Sequence, residues 1–235
     1  GFISDGISPA ETVKKLMSRY YMSEEKAELT VQCAAEALEM KAELSPSDVA
    51  VYIGVPYCPT RCAYCSFISR AAGETPPEQM TKYLDALIAE ISAAAMSLRA
   101  SGRTVRALYI GGGTPTTLSV DGLSLLLESA AKFTLAADCE ITLECGRPDT
   151  MTRAKLEAAK AGGVTRISVN PQSFSERVLA AIGRRHSVDS VYDAYELARN
   201  IGFDINMDLI AGLPEDSLAG FADSVHSALG LAPDN

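Results

Sequence analysis

From residue 48 onward the sequence alternates short apolar runs with longer amphipathic segments, and this alternation constrains the fold most. Five apolar runs have the length of β-strands and cover residues 49–55, 105–110, 139–144, 164–169 and 203–209. Helices are predicted over residues 78–98, 121–133, 151–161, 175–182 and 188–200, and from about 216 to 229. Strand–helix repeats form parallel strands joined by right-handed crossovers. We therefore predict an α/β fold, either an open sheet or a β/α barrel.

The segment before the first predicted strand is helical throughout. It begins with S-P-A-E, in which the serine can cap a helix and the glutamate completes a capping box. The helical pattern restarts at Ser23 and is broken by S-P-S-D at residues 45–48. We predict an N-terminal helical segment, residues 1–47, and a domain of five β/α units, residues 48–235. A sixth strand is expected after the last helix, so we expect the chain to be part of a longer protein.

Charge and composition exclude some classes of partner. The net charge is −9 and there is no basic run, so we expect no nucleic-acid binding through phosphates. No apolar run is long enough for a membrane span, and the N-terminus lacks the features of a secretion signal. The six cysteines are clustered rather than scattered through loops. This pattern predicts a reducing, cytoplasmic location.

Three of the cysteines share one loop after the first predicted strand, with the spacing C-x3-C-x2-C: Cys58, Cys62 and Cys65. They cannot all pair with one another as disulfides, but three thiolates can hold a metal or cluster with one position open. Thiolate ligands favour zinc, copper(I) or iron–sulfur. A structural zinc needs a fourth ligand, and neither His186 nor His226 is near the loop in sequence. Cys33 falls in an apolar helical pattern, where we predict a buried, inert thiol.

Polar residues and glycines follow the other predicted strands. A G-G-G-T-P segment follows the second strand, Glu144 ends the third, Gln172 follows the fourth and Asp208 ends the fifth. In parallel α/β folds the carboxyl ends of the strands share one edge, where ligands bind. Glycines permit close approach of backbone to a ligand, although a tight turn explains them as well. Carboxylates and Gln172 suit hydroxyl groups, and Arg184 offers a planar fork for a carboxylate.

The chain resembles the oxygen-independent coproporphyrinogen III oxidase family of radical S-adenosylmethionine (radical SAM) enzymes, which includes coproporphyrinogen dehydrogenases and heme chaperones. The segments that carry the resemblance are V-Y-I-G-V-P-Y-C-P-T-R-C-A-Y-C-S-F, G-G-G-T-P-T, R-I-S-V-N-P-Q-S-F, I-G-R-R-H and N-M-D-L-I-A-G-L-P. They lie between about Val49 and Pro233. The resemblance implies a partial (β/α)6-type radical SAM barrel whose final strand lies outside this chain.

The resemblance also implies two cofactors, a [4Fe–4S] cluster and SAM. Cys58, Cys62 and Cys65 would each bind an iron, and SAM would bind the fourth iron. The implied SAM contacts are Tyr52, Gly112, Gly113, Thr114, Glu144, Gln172, Arg184 and Asp208, and Tyr64 would pack against the adenine or the cluster. In the family the reduced cluster splits SAM into methionine and a 5′-deoxyadenosyl radical. This implies an electron donor such as flavodoxin or ferredoxin.

Two functions follow from the resemblance. The oxidases convert propionate side chains of coproporphyrinogen III to vinyl groups in anaerobic heme biosynthesis, whereas the heme chaperones bind and deliver heme. The oxidases carry a fourth cysteine two residues after the third, where this chain and the heme chaperones have an aromatic residue, here Phe67. The segment E-C-G-R-P-D-T favours the dehydrogenases. We predict oxidative decarboxylation, with a heme chaperone as the alternative.

A substrate with several carboxylates requires cations near the predicted site. Arg61, Arg70 and Arg147 are the candidates, although a solvent-facing arginine is the favoured interpretation of each.

Overall fold

A computed structural model of the protein describes residues 2–67 and 70–235. The chain divides into two compact units, Gly1–Asp48 and Val49–Asn235. Their behaviour as separate domains stays a prediction. No helix within the described ranges combines the length and the apolar character needed to cross a membrane.

The first unit contains two helices, α1 (Pro9–Tyr20) and α2 (Glu24–Ala42). The hydroxyl groups of Ser8 and Ser23 cap them by accepting hydrogen bonds from backbone N–H groups three residues later. The prediction for Cys33 is wrong, because the structure exposes it. Ala27 and Val31 are four residues apart and form the buried face of α2. Cys33 lies about 200° around the helix from Val31 and therefore points away from that face.

The second unit is built on a five-stranded sheet. The strands of the chain are β1 (Asp48–Val55), β2 (Tyr57–Cys58), β3 (Arg70–Ala71), β4 (Thr104–Gly112), β5 (Leu135–Glu144), β6 (Arg166–Ser168) and β7 (Asp204–Asn206). The sheet has the order β1-β4-β5-β6-β7, with parallel pairing from β4 to β7. This order follows the chain without reversal, which is typical of β/α barrels rather than doubly wound sheets. The prediction of an α/β fold is therefore confirmed.

Six helices follow these strands: α3 (Pro77–Ala100), α4 (Val120–Ala130), α5 (Arg153–Ala161), α6 (Glu176–Ala181), α7 (Val188–Ile201) and α8 (Leu218–Leu231). Ser119, Thr152, Ser187 and Ser217 cap four of them through side-chain oxygens. The sequence did not predict β2 and β3, which pair in parallel near the cysteine loop. Two-residue strands are too short to produce an apolar pattern.

An aliphatic core joins the sheet to the helices. Leu108 and Ile110 of β4 lie beside Ile141 and Leu143 of β5 in the parallel register, and all four are buried. Leu126 of α4 is also fully buried. Each such side chain contributes roughly 1.5–3 kcal/mol when it is removed from water. The core therefore fixes the register of the central strands and with it the positions of the residues at their carboxyl ends.

Candidate functional site

The carboxyl ends of the strands surround a cavity of about 310 Å³. The cavity is lined by every predicted site residue except Tyr52: Cys58, Cys62, Cys65, Tyr64, Gly112, Gly113, Thr114, Glu144, Gln172, Arg184 and Asp208. Thr60, Phe67, Gly146, Arg147 and Asn170 also line it. Small-molecule sites occupy roughly 300–1,000 Å³, so the cavity has the size of a cofactor site.

The cysteine loop is tied to the segment that follows α6. The backbone N–H of Ala63 donates to the carbonyl of Ile182 at 3.0 Å, and the Thr60 hydroxyl donates to the carbonyl of Gly183 at 3.2 Å. On the other side, the Thr114 hydroxyl donates to the sulfur of Cys58 at 3.5 Å. These bonds place the thiols between the glycine loop after β4 and the loop after α6.

The three thiols line the same cavity without meeting at one point. Across residues 2–67 and 70–235, no group of three or more His, Cys, Asp or Glu side chains is placed to hold a single metal ion. Zinc requires ligands that converge within about 2.0–2.3 Å of one centre. An iron–sulfur cluster takes its thiolate ligands on different iron atoms. Three thiolates on one cavity are a donor set that fits a cluster.

The glycines after β4 allow two strand ends to approach each other. A Cβ atom on Gly113 would lie 2.6 Å from the carbonyl oxygen of Tyr57, and Gly112 has a φ of +109°. The N–H of Gly113 donates to Val55 and that of Thr114 donates to Tyr57. The glycines therefore permit close packing between neighbouring strand ends. Gly112 and Gly113 also line the cavity, and their approach to a ligand stays a prediction.

Two carboxylates line the cavity close to the glycine loop. Glu144 is half-buried and accepts a hydrogen bond from the N–H of Gly112 at 3.1 Å. Burial raises the pKa of Glu144, the N–H of Gly112 lowers it, and the charge of Asp208 raises it further. Asp208 is exposed and accepts from the side-chain amide of Asn206 at 2.9 Å. A ligand that brings an ammonium group or hydroxyl groups would stabilise both carboxylates.

Tyr52 is the one predicted residue outside the cavity lining. It is 62% exposed on β1 and stacks on Tyr109 of β4, with ring centroids 5.9 Å apart. A Cβ atom on Gly112 would lie 3.5 Å from the Tyr52 hydroxyl, so the phenol reaches the edge of the glycine loop. Its contact with SAM stays a prediction.

Gln172 is held in a strained backbone conformation. Its φ is +68°, and its N–H and C=O bond to Asp208 and Ile210 in the loop after β7. For a residue with a Cβ atom this conformation costs about 1–2 kcal/mol. Its side-chain oxygen is buried and lacks a hydrogen-bond partner among the described residues. Strain and an unused acceptor at the same position are typical of a ligand site.

Arg184 connects three loops around the cavity. Its Nη1 donates to the carbonyls of Gly146 and Asn170, and its Nη2 donates to the hydroxyl of Tyr64. The side chain is buried. These bonds use both terminal nitrogens of the guanidinium group, for which the sequence had predicted a carboxylate partner. Its Nε remains without a partner within the described ranges. A contact with the SAM carboxylate stays a prediction.

The burial of Arg147 is the main feature that the sequence did not predict. This arginine follows β5, is only 2% exposed and lines the cavity, so the solvent-facing interpretation is wrong. Its Nη2 is a buried donor that has no hydrogen-bond partner in the part of the chain that the structure describes. The buried acceptor Oδ1 of Asn170 also has no partner there. Unpaired buried polar groups are costly, so these atoms fit a polar ligand in the cavity. The sequence signal for Arg147 was its place near the predicted site, where it was a candidate cation for the substrate.

A second cavity of about 1010 Å³ lies on the other side of the cysteine loop. Arg61, Arg70 and Arg185 line it and are exposed, and among the described residues of its lining Glu74 alone is acidic. Such a concentration of cations contrasts with the net charge of −9 of the chain. The cavity therefore suits an anionic ligand.

Comparison with known proteins gives matches over most of the chain. The radical SAM superfamily matches residues 52–228. The chain is 34% identical over 238 residues to an oxygen-independent coproporphyrinogen-III oxidase-like protein, HemZ, of Bacillus subtilis (strain 168), covering 99% of this chain and 47% of HemZ. It is 37% identical over 189 residues to the heme chaperone HemW of Escherichia coli (strain K12), covering 79% of this chain and 48% of HemW.

A solved structure supports the fold. The coproporphyrinogen III oxidase HemN from Escherichia coli, a radical SAM enzyme, superposes with a TM-score of 0.72 at 30% identity. The superposition covers 85% of this chain and 45% of that chain. The chain thus spans about half the length of the relatives that it matches.

Proposed function

Since this chain belongs to the radical SAM superfamily, we propose that its 310 Å³ cavity binds a [4Fe–4S] cluster and SAM. These are the cofactors that the superfamily uses. One observation carries the proposal: three thiols, two carboxylates and several unpartnered buried polar atoms line this one cavity. Cys58, Cys62 and Cys65 would hold the cluster. When bound, the cofactors supply an electron and a carbon radical, chemistry that side chains alone do not provide.

The chain's own residues bind and orient SAM in this proposal. Glu144 and Asp208 accept hydrogen bonds from the ammonium and hydroxyl groups of SAM, and Gln172 uses its free side-chain oxygen in the same way. Gly112 and Gly113 provide a wall without side chains. Arg184 holds the loops around the cavity through its bonds to Gly146, Asn170 and Tyr64. An electron donor such as flavodoxin or ferredoxin completes the system.

The reaction that we propose is oxidative decarboxylation of coproporphyrinogen III. The likeness to the oxidase-like HemZ covers 99% of this chain, which supports the oxidase class. The arginine-lined cavity also supports it, because coproporphyrinogen carries four carboxylates and arginine pairs with carboxylates in a bidentate geometry. Arg61 and Arg70 line this cavity, and the sequence had named both as candidate cations for the substrate.

A heme chaperone is the second candidate, and Phe67 favours it. Phe67 lines the cofactor cavity at the position where the oxidases carry a fourth cysteine, and it is 63% exposed. An exposed aromatic ring offers a flat apolar contact of the kind that a porphyrin face requires. The identity to HemW also supports this function.

One anaerobic experiment tests the proposal. The purified protein is reconstituted with iron and sulfide, reduced with dithionite and given SAM, and 5′-deoxyadenosine is measured with and without coproporphyrinogen III. We expect 5′-deoxyadenosine together with harderoporphyrinogen or protoporphyrinogen. If the protein turns over no porphyrinogen but binds added heme stoichiometrically, the chaperone is favoured instead. A protein that binds neither a cluster nor SAM would contradict both functions.

The arginine cavity is tested with Arg61→Ser and Arg70→Ser combined. We expect a higher KM for coproporphyrinogen III with unchanged cluster content. Arg153→Ser serves as a matched control, because Arg153 is exposed on α5 and lies outside both cavities. An unchanged KM in the double variant would contradict this role.

A further inference from the structure

Arg147 places a guanidinium group against one of the three cysteines. Its Nη1 lies 3.7 Å from the sulfur of Cys62, within the range of an N–H···S hydrogen bond. The same nitrogen donates to the hydroxyl of Thr60 at 3.0 Å and lies 3.4 Å from the Thr60 carbonyl oxygen. Arg147 is 2% exposed, so its charge faces little solvent screening.

Asp149 forms an ion pair with this guanidinium group. Its carboxylate lies 3.3 Å from Nε of Arg147, whereas the contact with Cys62 uses a different nitrogen, Nη1. The negative charge of Asp149 therefore offsets part of the positive charge beside the cysteine sulfur. His186 lies 3.9 Å from the same carboxylate. Burial and the charges of Arg184 and Arg147 lower the pKa of His186 to about 4, so it adds no charge at neutral pH.

We propose that Arg147 raises the reduction potential of the cluster by holding a positive charge and an N–H donor on the sulfur of Cys62, and that the carboxylate of Asp149 offsets part of this charge. This inference rests on the proposed function, because it takes Cys62 as a cluster ligand. The reduction potential of an iron–sulfur cluster depends on net charge, on hydrogen bonds to its sulfurs and on exposure to solvent. A cation on a ligand sulfur stabilises the form that has gained an electron.

The couple concerned is the one-electron reduction of the cluster, with the electron supplied by a flavin or iron–sulfur protein. Reduction adds one negative charge next to Arg147 and transfers no atom. A higher potential would let a donor of ordinary strength reduce a larger fraction of the protein. Arg147 acts through Cys62 and is therefore a positioning residue.

The test is a potentiometric titration of the anaerobically reconstituted full-length protein, followed by electron paramagnetic resonance without SAM. We expect Arg147→Gln to shift the midpoint potential to a more negative value, because it removes the cation and leaves Asp149. Arg147→Lys retains the charge, so its midpoint potential should lie between those of Arg147→Gln and the wild type. Asp149→Asn should shift the potential in the opposite direction, because the cation is left without its partner. Arg153→Gln is the matched control and should leave the potential unchanged.

Opposite shifts in Arg147→Gln and Asp149→Asn separate an electrostatic role from a structural one. Equal potentials in the wild type, Arg147→Gln and Asp149→Asn, with clusters intact, would overturn the inference while leaving the proposed function in place. If Arg147→Gln holds no cluster, Asp149→Asn decides, and a shift to more negative potential would overturn it. A wild-type protein that binds no cluster would overturn the proposed function and this inference together.

Discussion

Nη2 of Arg184 donates a hydrogen bond to the hydroxyl of Tyr64 at 3.0 Å, across 120 residues of sequence. This bond joins the loop after α6 to the cysteine loop. The other nitrogen, Nη1, donates to the carbonyls of Gly146 and Asn170, at the ends of β5 and β6. One buried side chain thus connects three of the loops that form the cavity.

The first prediction concerns this connection. Arg184→Lys cannot donate to three acceptors in this geometry and leaves buried carbonyls unpaired, which costs about 1–3 kcal/mol for each group. We expect a lower free energy of unfolding by urea. Tyr64→Phe removes only one of the bonds and should cost about 1 kcal/mol. Equal effects of the two variants would contradict the role of Arg184 as the connecting residue.

The second prediction concerns the close contact between Gly113 and Tyr57. Gly113→Ala places a Cβ atom 2.6 Å from a backbone carbonyl that is fixed in β2. We expect a loss of about 1–3 kcal/mol in the free energy of unfolding, as for an overpacked core. Gly230→Ala is the matched control, because the added methyl group would have no atom within 4 Å and alanine favours the helix. Comparable losses in both variants would contradict the prediction.

The third prediction separates the cysteines. Cys62→Ala removes a ligand of the proposed cluster, so we expect the iron content after anaerobic reconstitution and the absorbance of the cluster to be lost. Cys33→Ala changes an exposed thiol in α2 and should leave both unchanged. A complete cluster that responds to SAM in Cys62→Ala would contradict the proposed site.

The sequence predicted the β/α units and most of the cavity lining for one physical reason. Apolar runs mark strands, and parallel strands bring their carboxyl ends to one edge, so Glu144, Gln172 and Asp208 had to lie close together. The burial of Arg147 was missed because a charged side chain is exposed by default, and this burial depends on Thr60, 87 residues away in sequence. Cys33 was misplaced because α2 has only a narrow buried face.

The fourth prediction concerns His186, whose buried ring nitrogens have no hydrogen-bond partner within residues 2–67 and 70–235. Its pKa is about 4 in the folded protein, against an ordinary value of 6.5. Between these values the unfolded chain binds more protons, so stability rises with pH from about 4 to 6.5. We expect the free energy of unfolding to fall on acidification through this window. His186→Gln should weaken the dependence, and an identical pH profile in that variant would contradict the assignment.

The fifth prediction gives Glu144 opposite effects on stability and on binding. Burial, together with the charge of Asp208, raises the pKa of Glu144 above its ordinary value. Between pH about 4.3 and this raised pKa the folded protein binds more protons than the unfolded chain, so stability falls as pH rises through this window. Glu144→Gln removes that penalty, and we expect it to unfold at a higher temperature than the wild type at neutral pH.

The same substitution should weaken the binding of SAM. The carboxylate is the acceptor that we propose for the ammonium or hydroxyl groups of SAM, and a hydrogen bond to a charged group contributes about 1.5–3 kcal/mol. We expect isothermal titration calorimetry on the reconstituted protein to give a Kd for SAM roughly 10 to 150 times higher in Glu144→Gln. Glu140→Gln is the control, because Glu140 lies on the same strand but outside the cavity lining, where it accepts from Arg166 at 3.0 Å. If Glu144→Gln gained stability and still bound SAM as the wild type does, Glu144 would have no part in the site.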